Sequence, residues 1–159
     1  MINLKIIEEF ATKAHQDQTR WNGDPYITHP KRVAASLNDE RFKATAFLHD
    51  VLEDTDQTEE NIRRVFVLAG CGPILTDGIM KDLHLLTHNK SDMSYASYIQ
   101  RLLLRASYIA LYVKMADLRD NLRDLKPGQR RDKYELAYLV LQYSVGSPEW
   151  NMKGKENAG

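Results

Sequence analysis

The sequence predicts an all-α, single-domain protein, an irregular bundle of about six to eight helices. Three observations carry this. Apolar residues recur at spacings of three and four along most of the chain. No alternating run is long enough for a sheet, and no internal repeat is present. The 159 residues, 43% apolar and 28% charged, suit one hydrophobic core and leave little room for a second. Residues 1–145 are expected to form this domain, and the polar, glycine-containing stretch 146–159 a flexible tail.

Leu4, Ile7, Phe10, Ala11 and Ala14 lie on one helical face and define the first helix. From Asp17 to Pro30 the pattern breaks into an ordered loop around Asn22-Gly23-Asp24-Pro25. The second helix is expected to start at Thr28 to Lys31, with Thr as a cap and Pro30 in the first turn, and to run to about Leu37. A third spans roughly Arg41 to Leu52. Asp56 to Glu59 has the spacing of a capping box, so a helix to about Leu68 follows. After the turn at Gly70-Cys71-Gly72-Pro73, Ile74 to Leu86 reads as helical, although Gly78 weakens it. A long helical region is expected from Ser91 to Leu125, interrupted near Ala106 and ended by Lys126-Pro127-Gly128. Gln129 to Tyr143 forms the last helix.

The 22 Lys and Arg residues cancel the 22 Asp and Glu residues, so no broad cationic field is expected. Nucleic acid and anionic membranes are therefore poor partners. The single cysteine, Cys71, has no internal partner. No segment approaches the roughly 20 apolar residues of a membrane span. The N-terminal stretch carries acidic residues and reads as an amphipathic helix, not a secretory signal. A cytoplasmic location is the default. The oligomeric state is not legible.

Chemistry concentrates in three segments: Pro25 to Pro30, Phe47 to Thr55 and Val113 to Leu122. The last two set acids inside apolar helical stretches, where an unpartnered carboxylate costs several kcal/mol. A metal ion would satisfy His49 and Asp50 together, since imidazole and carboxylate suit Mn, Fe or Zn. Glu53 and Asp54 follow one turn later, placed to handle a water. Each piece also has an ordinary reading. His29 can be a helix-start histidine, His49-Asp50 a hydrogen-bonded pair, Glu53-Asp54 a solvated helix end, and Asp117 a partner of Lys114 or Arg119. The order His, His-Asp, distant Asp is harder to explain that way.

That order resembles the HD superfamily of metal-dependent phosphohydrolases. More narrowly, three passages are similar to the hydrolase domain of the RelA/SpoT family, including its small stand-alone alarmone hydrolases. They are Ala14 to Pro30, Phe47 to Thr55 (FLHDVLEDT) and Val113 to Arg123 (VKMADLRDNLR), within a match spanning about residues 4 to 145. The resemblance implies an HD-type helical bundle and one divalent metal, usually manganese, held by His29, His49, Asp50 and Asp117. It implies Glu53 and Asp54 as the acids handling the nucleophilic water, Arg20 as the contact to the base and Asn121 as the contact to the nucleoside. Lys114, Arg119 and Arg123 are further candidates for the phosphates. His15 is expected to pack or hydrogen-bond behind the site. The implied reaction removes pyrophosphate from the 3′ position of guanosine 3′,5′-bis(diphosphate), in a hydrolase-only chain.

The sequence departs from the family pattern at Trp21 and Leu118, where basic residues are usual, and at Asp120, where His or an aromatic is common. These departures motivate a second reading, an HD phosphohydrolase acting on another nucleotide or phosphate ester. A third is a non-catalytic nucleotide-binding module. His84 and His88, four residues apart, read as solvated. The tyrosines at helical spacing read as packing residues, with one or two lining a pocket.

Overall fold

The computed structural model describes residues 1–145, and the expected tail lies outside the described residues. Nine helices occur among them: α1 (Leu4–Ala14), α2 (Thr28–Ala35), α3 (Glu40–Leu48), α4 (Val51–Asp54), α5 (Glu59–Leu68), α6 (Pro73–Leu86), α7 (Tyr95–Arg105), α8 (Tyr108–Asp124) and α9 (Gln129–Val145). No strand occurs among the described residues; an isolated bridge pairs Thr19 with Pro25.

Two helices form the centre. In α3, Phe42 and every residue from Ala44 to Leu48 are buried. In α8, eight of seventeen residues are buried, Asp117 and Asp120 among them. A helix covered on most sides packs in the middle of a bundle. Accordingly, α3 packs against α1, α2, α6 and α8, while α8 also meets α2, α6, α7 and α9. Ile7, Ala11, Leu48, Ile62, Phe66, Leu83, Leu102, Val113 and Leu118 are fully enclosed in the core.

Helix starts follow local chemistry. Asp39 accepts from the Arg41 amide at 2.8 Å, Thr58 from Asn61 at 3.3 Å and Ser94 from Ser97 at 3.1 Å, each satisfying an amide without an intrahelical partner. Pro73 opens α6 at a position where its missing N–H costs nothing. Gly70, at φ 81°, supplies the left-handed residue after α5 and lets the Cys71 amide reach the Phe66 carbonyl at 2.9 Å. The C-terminal carbonyls of Leu122 and Leu125 accept from Arg131 at 2.9 and 2.7 Å.

Four expectations are corrected. Thr28 is the first residue of α2, and its hydroxyl donates to Pro25 O instead of capping. The α5 cap is Thr58, with Asn61 where a capping box would have an acid. Residues 91–94 precede α7, because Ser94 provides the cap. Most consequentially, the helix expected over 41–52 breaks at His49-Asp50. His49 Nδ1 donates to the Ala46 carbonyl at 2.7 Å, the acceptor that the Asp50 amide would use in a continuous helix.

Candidate metal centre and cleft

Four short pieces of chain converge on one side of the bundle. The loop before α2 is closed by the Thr19–Pro25 bridge and by the Arg20 amide on Asp24 O at 2.8 Å. Gly23, at φ 88°, makes its tight turn. This loop sets Tyr26 beside the start of α2, which carries His29. The break after α3 presents His49 and Asp50, and α8 presents Lys114, Asp117, Asp120 and Asn121.

His29, His49 and Asp117 are buried, and their ligand atoms all lie within 4.8 Å of one another. His29 Nε2 is 3.1 Å from Asp117 Oδ1 and 3.8 Å from Asp50 Oδ2. His49 Nε2 is 3.1 Å from Asp50 Oδ2 and 3.7 Å from Asp117 Oδ1. The outer nitrogens are both committed: His29 Nδ1 donates to Asp120 Oδ2 at 2.7 Å and His49 Nδ1 to Ala46 O. In a neutral imidazole the Nε2 lone pair therefore faces carboxylate oxygens. His49 Nε2 is sealed from solvent, and its contacts with the carboxylates are not aligned as hydrogen bonds. Lone pairs facing carboxylates in a buried site call for a cation, and imidazole with carboxylate is a donor set that divalent metals accept. The cluster can hold a metal ion.

Electrostatics agree with this. Burial alone would lower both imidazoles' pKa values, but the combined hydrogen bonds and charges of the surrounding carboxylates, Asp117 and Asp120 at His29 and Asp50 and Asp117 at His49, outweigh it and raise them. Burial would raise Asp50 and Asp117, yet both carboxyls are held well below the usual range, Asp50 by His49 with His29, and Asp117 by Lys114 together with both histidines.

The acids of α4 adjoin the cluster. Tyr26 Oη is 2.6 Å from Asp50 Oδ2 and 3.0 Å from Asp54 Oδ2, so its one proton is offered to two carboxylates. Burial first, and then Asp50, raise both the Tyr26 phenol and the Asp54 carboxyl. Glu53 turns toward the other wall, where Oε2 accepts from the His88 amide at 2.9 Å and Oε1 lies 3.4 Å from Lys90.

A cavity of about 250 Å³ opens from this centre, with Tyr26, His29, Asp50, Glu53, Asp54 and Asp117 on one side. His88, Lys90, Tyr95, Tyr98, Lys114, Asn121, Lys133 and Tyr134 complete the lining. Tyr95 stacks on Tyr134 with ring centres 5.6 Å apart, and Lys133 lies 4.7 Å from the centre of the Tyr95 ring.

Among the expected substrate contacts, Lys114 and Asn121 line the cavity and grip Asp117 at 2.8 and 2.6 Å. Arg20 does not line it. It is buried, with Nη2 3.3 Å from Asn121 Oδ1 and Nε unpartnered. Arg123 and Arg119 lie elsewhere, with Arg32 around a separate cavity of about 260 Å³. His15 is buried as expected, with Nδ1 2.8 Å from Gln18 Oε1 and its ring against Tyr26.

Three departures now have a place. Leu118 is fully buried in the core and does not line the cleft. Trp21 is 62% exposed. Asp120 backs His29. Sequence reasoning missed Tyr26 and His88 as site residues. Tyr26 sits three residues before His29, a usable signal. His88 is not solvated: it stacks on Tyr98 with centres 4.6 Å apart. His84, its supposed neighbour, lies on the surface 2.8 Å from Glu59. Tyr95 and Tyr98 share a helix face, whereas nothing in the sequence connects Lys133-Tyr134 with the metal centre.

No family model matches the chain. Among curated proteins it is 38% identical to the GTP pyrophosphokinase rsh of Brucella melitensis, across 87% of this chain and 19% of that protein. It is 33% identical to the guanosine-3′,5′-bis(diphosphate) 3′-pyrophosphohydrolase of Haemophilus influenzae, across 76% and 19%. With the bifunctional (p)ppGpp synthase/hydrolase SpoT of Escherichia coli the identity is 32%, across 76% and 18%. The solved structure of a metazoan ortholog of SpoT that hydrolyzes ppGpp superimposes with a TM-score of 0.69 at 25% identity, covering 97% of this chain and 92% of that one.

The chain is similar to the SpoT and Rsh proteins in sequence and fold. It spans about a fifth of the length of the curated relatives it matches, 18–19% of each. The SpoT/Rsh relationship and the all-α bundle agree with the fold and the family resemblance read from the sequence.

Proposed function

We propose that residues 1–145 form a domain that hydrolyses guanosine 3′,5′-bis(diphosphate), releasing pyrophosphate from the 3′ position and leaving guanosine 5′-diphosphate. The observation that carries this is the pair of histidines whose Nδ1 atoms are tied back while both Nε2 atoms converge on Asp50 and Asp117. Relatives named as hydrolases of this nucleotide supply the substrate.

His29, His49, Asp50 and Asp117 would hold one divalent ion, with Mn²⁺ as the working choice. When bound, it polarises a phosphoryl oxygen and lowers the pKa of a coordinated water. Asp54 and Glu53 handle the attacking water. Tyr26 limits where the Asp54 carboxylate can point, and burial raises the Asp54 pKa toward a proton-accepting role. Water adds to phosphorus, the bond to the 3′ oxygen breaks, and that oxygen receives a proton.

Lys114 provides charge beside the transferred group, and its ammonium is held protonated: burial opposes the charge, but Asp117 together with Tyr98 and Tyr95 outweighs it. Asn121 contacts the nucleoside. Arg20 acts from behind it, orienting the Asn121 amide. Arg123, 63% exposed, contributes at most from the rim. The setting is taken to be cytoplasmic; no helix among the described residues is long and apolar enough to cross a membrane.

The test is pyrophosphate release by the purified protein with Mn²⁺ and the tetraphosphate, against an Asp50→Ala control. Release by wild type alone is expected. Phosphate release from other nucleotides, with none from this one, would move the assignment to the broader HD phosphohydrolase reading. Equal inertness of both proteins across a nucleotide panel would leave a non-catalytic binding module.

A further inference from the structure

Helices α2 and α8 interlock at the metal centre through two pairs of residues three apart. His29 and Arg32 share one face of α2, and Asp117 and Asp120 one face of α8. The His29 ring is clamped between the two acids, with Nε2 3.1 Å from Asp117 and Nδ1 2.7 Å from Asp120. Asp120 is 6% exposed, and both its oxygens are occupied. Oδ2 accepts from His29 and from Arg32 Nη2 at 2.9 Å, while Oδ1 accepts from Arg32 Nε at 2.8 Å. Arg123 adds a second guanidinium 3.5 Å from Oδ1. The two histidines are thus backed unequally: His49 Nδ1 meets a neutral backbone carbonyl, His29 Nδ1 an arginine-locked carboxylate.

We infer that Asp120 and Arg32 are positioning residues for the metal, fixing the His29 tautomer and ring so that His29 is the stronger imidazole donor of the pair. This rests on the metal-site reading above. A carboxylate behind an imidazole makes its other nitrogen a better donor and prevents ring rotation, and loss of such a partner typically costs about 10–100-fold in metal affinity. Arg32 keeps Asp120 from rotating away and offsets its charge, since the fork matches both carboxylate oxygens.

The experiment measures Mn²⁺ affinity of the purified protein by chelator competition, alongside thermal unfolding without metal. Asp120→Ala is expected to weaken binding by about 10–100-fold. Asp120→Asn keeps an acceptor for Nδ1–H and is expected to restore part of that loss. Arg32→Met leaves Asp120 in place and is expected to lose less than Asp120→Ala. Asp82→Asn, at a buried acid remote from the centre, serves as the control for a purely structural effect. It is expected to alter unfolding without altering affinity. In zinc-loaded protein, imidazole ¹⁵N shifts should report His29 protonated on Nδ1, and Asp120→Asn should perturb His29 more than His49.

Mn²⁺ affinity within twofold of wild type for both Asp120→Asn and Arg32→Met would overturn the inference, even if unfolding shifts. If Asp120→Ala does not fold, those two variants decide. A wild type that binds Mn²⁺ but releases no pyrophosphate overturns only the substrate assignment. A wild type that binds no divalent ion overturns both.

Discussion

Asp82 and Asp117 are both buried acids on helices of one bundle, 3% and 4% exposed, yet their surroundings are opposite in kind. Asp82 meets the Ser107 amide at 3.2 Å and the Ser107 hydroxyl, two neutral donors that satisfy it and tie α6 to the start of α8. Burial dominates there and raises the carboxyl's pKa. Asp117 meets Lys114, Asn121 and two imidazole nitrogens. Its carboxyl is held well below the usual range by Lys114 and the histidines, against the effect of burial. The contrast teaches that burial of an acid does not mark a functional site. What marks it is the presence nearby of further lone-pair donors, here two imidazoles and Asp50, that the same cation would satisfy.

Removing each acid should therefore fail differently. The largest effect is expected for Asp117→Ala: loss of Mn²⁺ binding and a fall in pyrophosphate release of about a thousandfold or more, read by metal analysis and turnover. Lys114 would then lack its main counter-charge, so some destabilisation should accompany it.

Next is the pH dependence of metal affinity. In the metal-free protein both imidazoles hold their protons above the ordinary value of about 6.5. Protons and metal compete for the same nitrogens, so affinity should rise with pH and still be rising above 6.5. In the metal-free protein the raised imidazole pKa values stabilise the fold below about 6.5, and this is lost as pH rises through the folded values. Added metal should thus stabilise most at the alkaline end. Mn²⁺ titrations and unfolding curves at several pH values check both; affinity flat from pH 5 to 8 would sink histidine ligation.

Asp82→Ala should cost about 1–3 kcal/mol of stability, because the Ser107 amide and hydroxyl lose their partner. Turnover per folded molecule should not change. Its titration has a defined sign. A carboxyl whose folded pKa is raised contributes stability that is fully present below about 3.9, and loses it as pH rises through the folded value. The gap between wild type and Asp82→Asn should therefore move toward the variant from pH 4 to 7 in urea unfolding. The smallest effect is expected at Trp21→Ala, within about 0.5 kcal/mol, since that ring is 62% exposed.

Much of the helix order was readable because amphipathic spacing reports local geometry. Helix ends were less so. Ser94 and Ser107 cap α7 and α8, but serine is common enough that only the folded chain shows which ones cap. The break at His49-Asp50 was unreadable, since it arises from a side chain taking a backbone acceptor that helical periodicity assigns to an amide. At the site, the four ligand candidates follow from the rarity of acids in apolar helices together with the family resemblance. Tyr26, His88 and the Lys133-Tyr134 wall come from separated segments, and their meeting is a tertiary fact. Leu118 shows the converse: it is a departure in sequence, yet in the fold it belongs to the core.

The break after α3 leaves Glu53 and Asp54 on α4, which is only four residues long. A single turn cannot sustain itself, because fixing its dihedrals costs more than its few hydrogen bonds return. Its anchors come from outside: Tyr26 and Gln18 on Asp54, and the His88 amide on Glu53. The acids proposed to handle the water therefore ride on a short segment expected to open locally before the buried helices α3 and α8 behind it. Amide hydrogen exchange across 51–55 should run ahead of that in α3 and α8. Contact with a substrate would slow it.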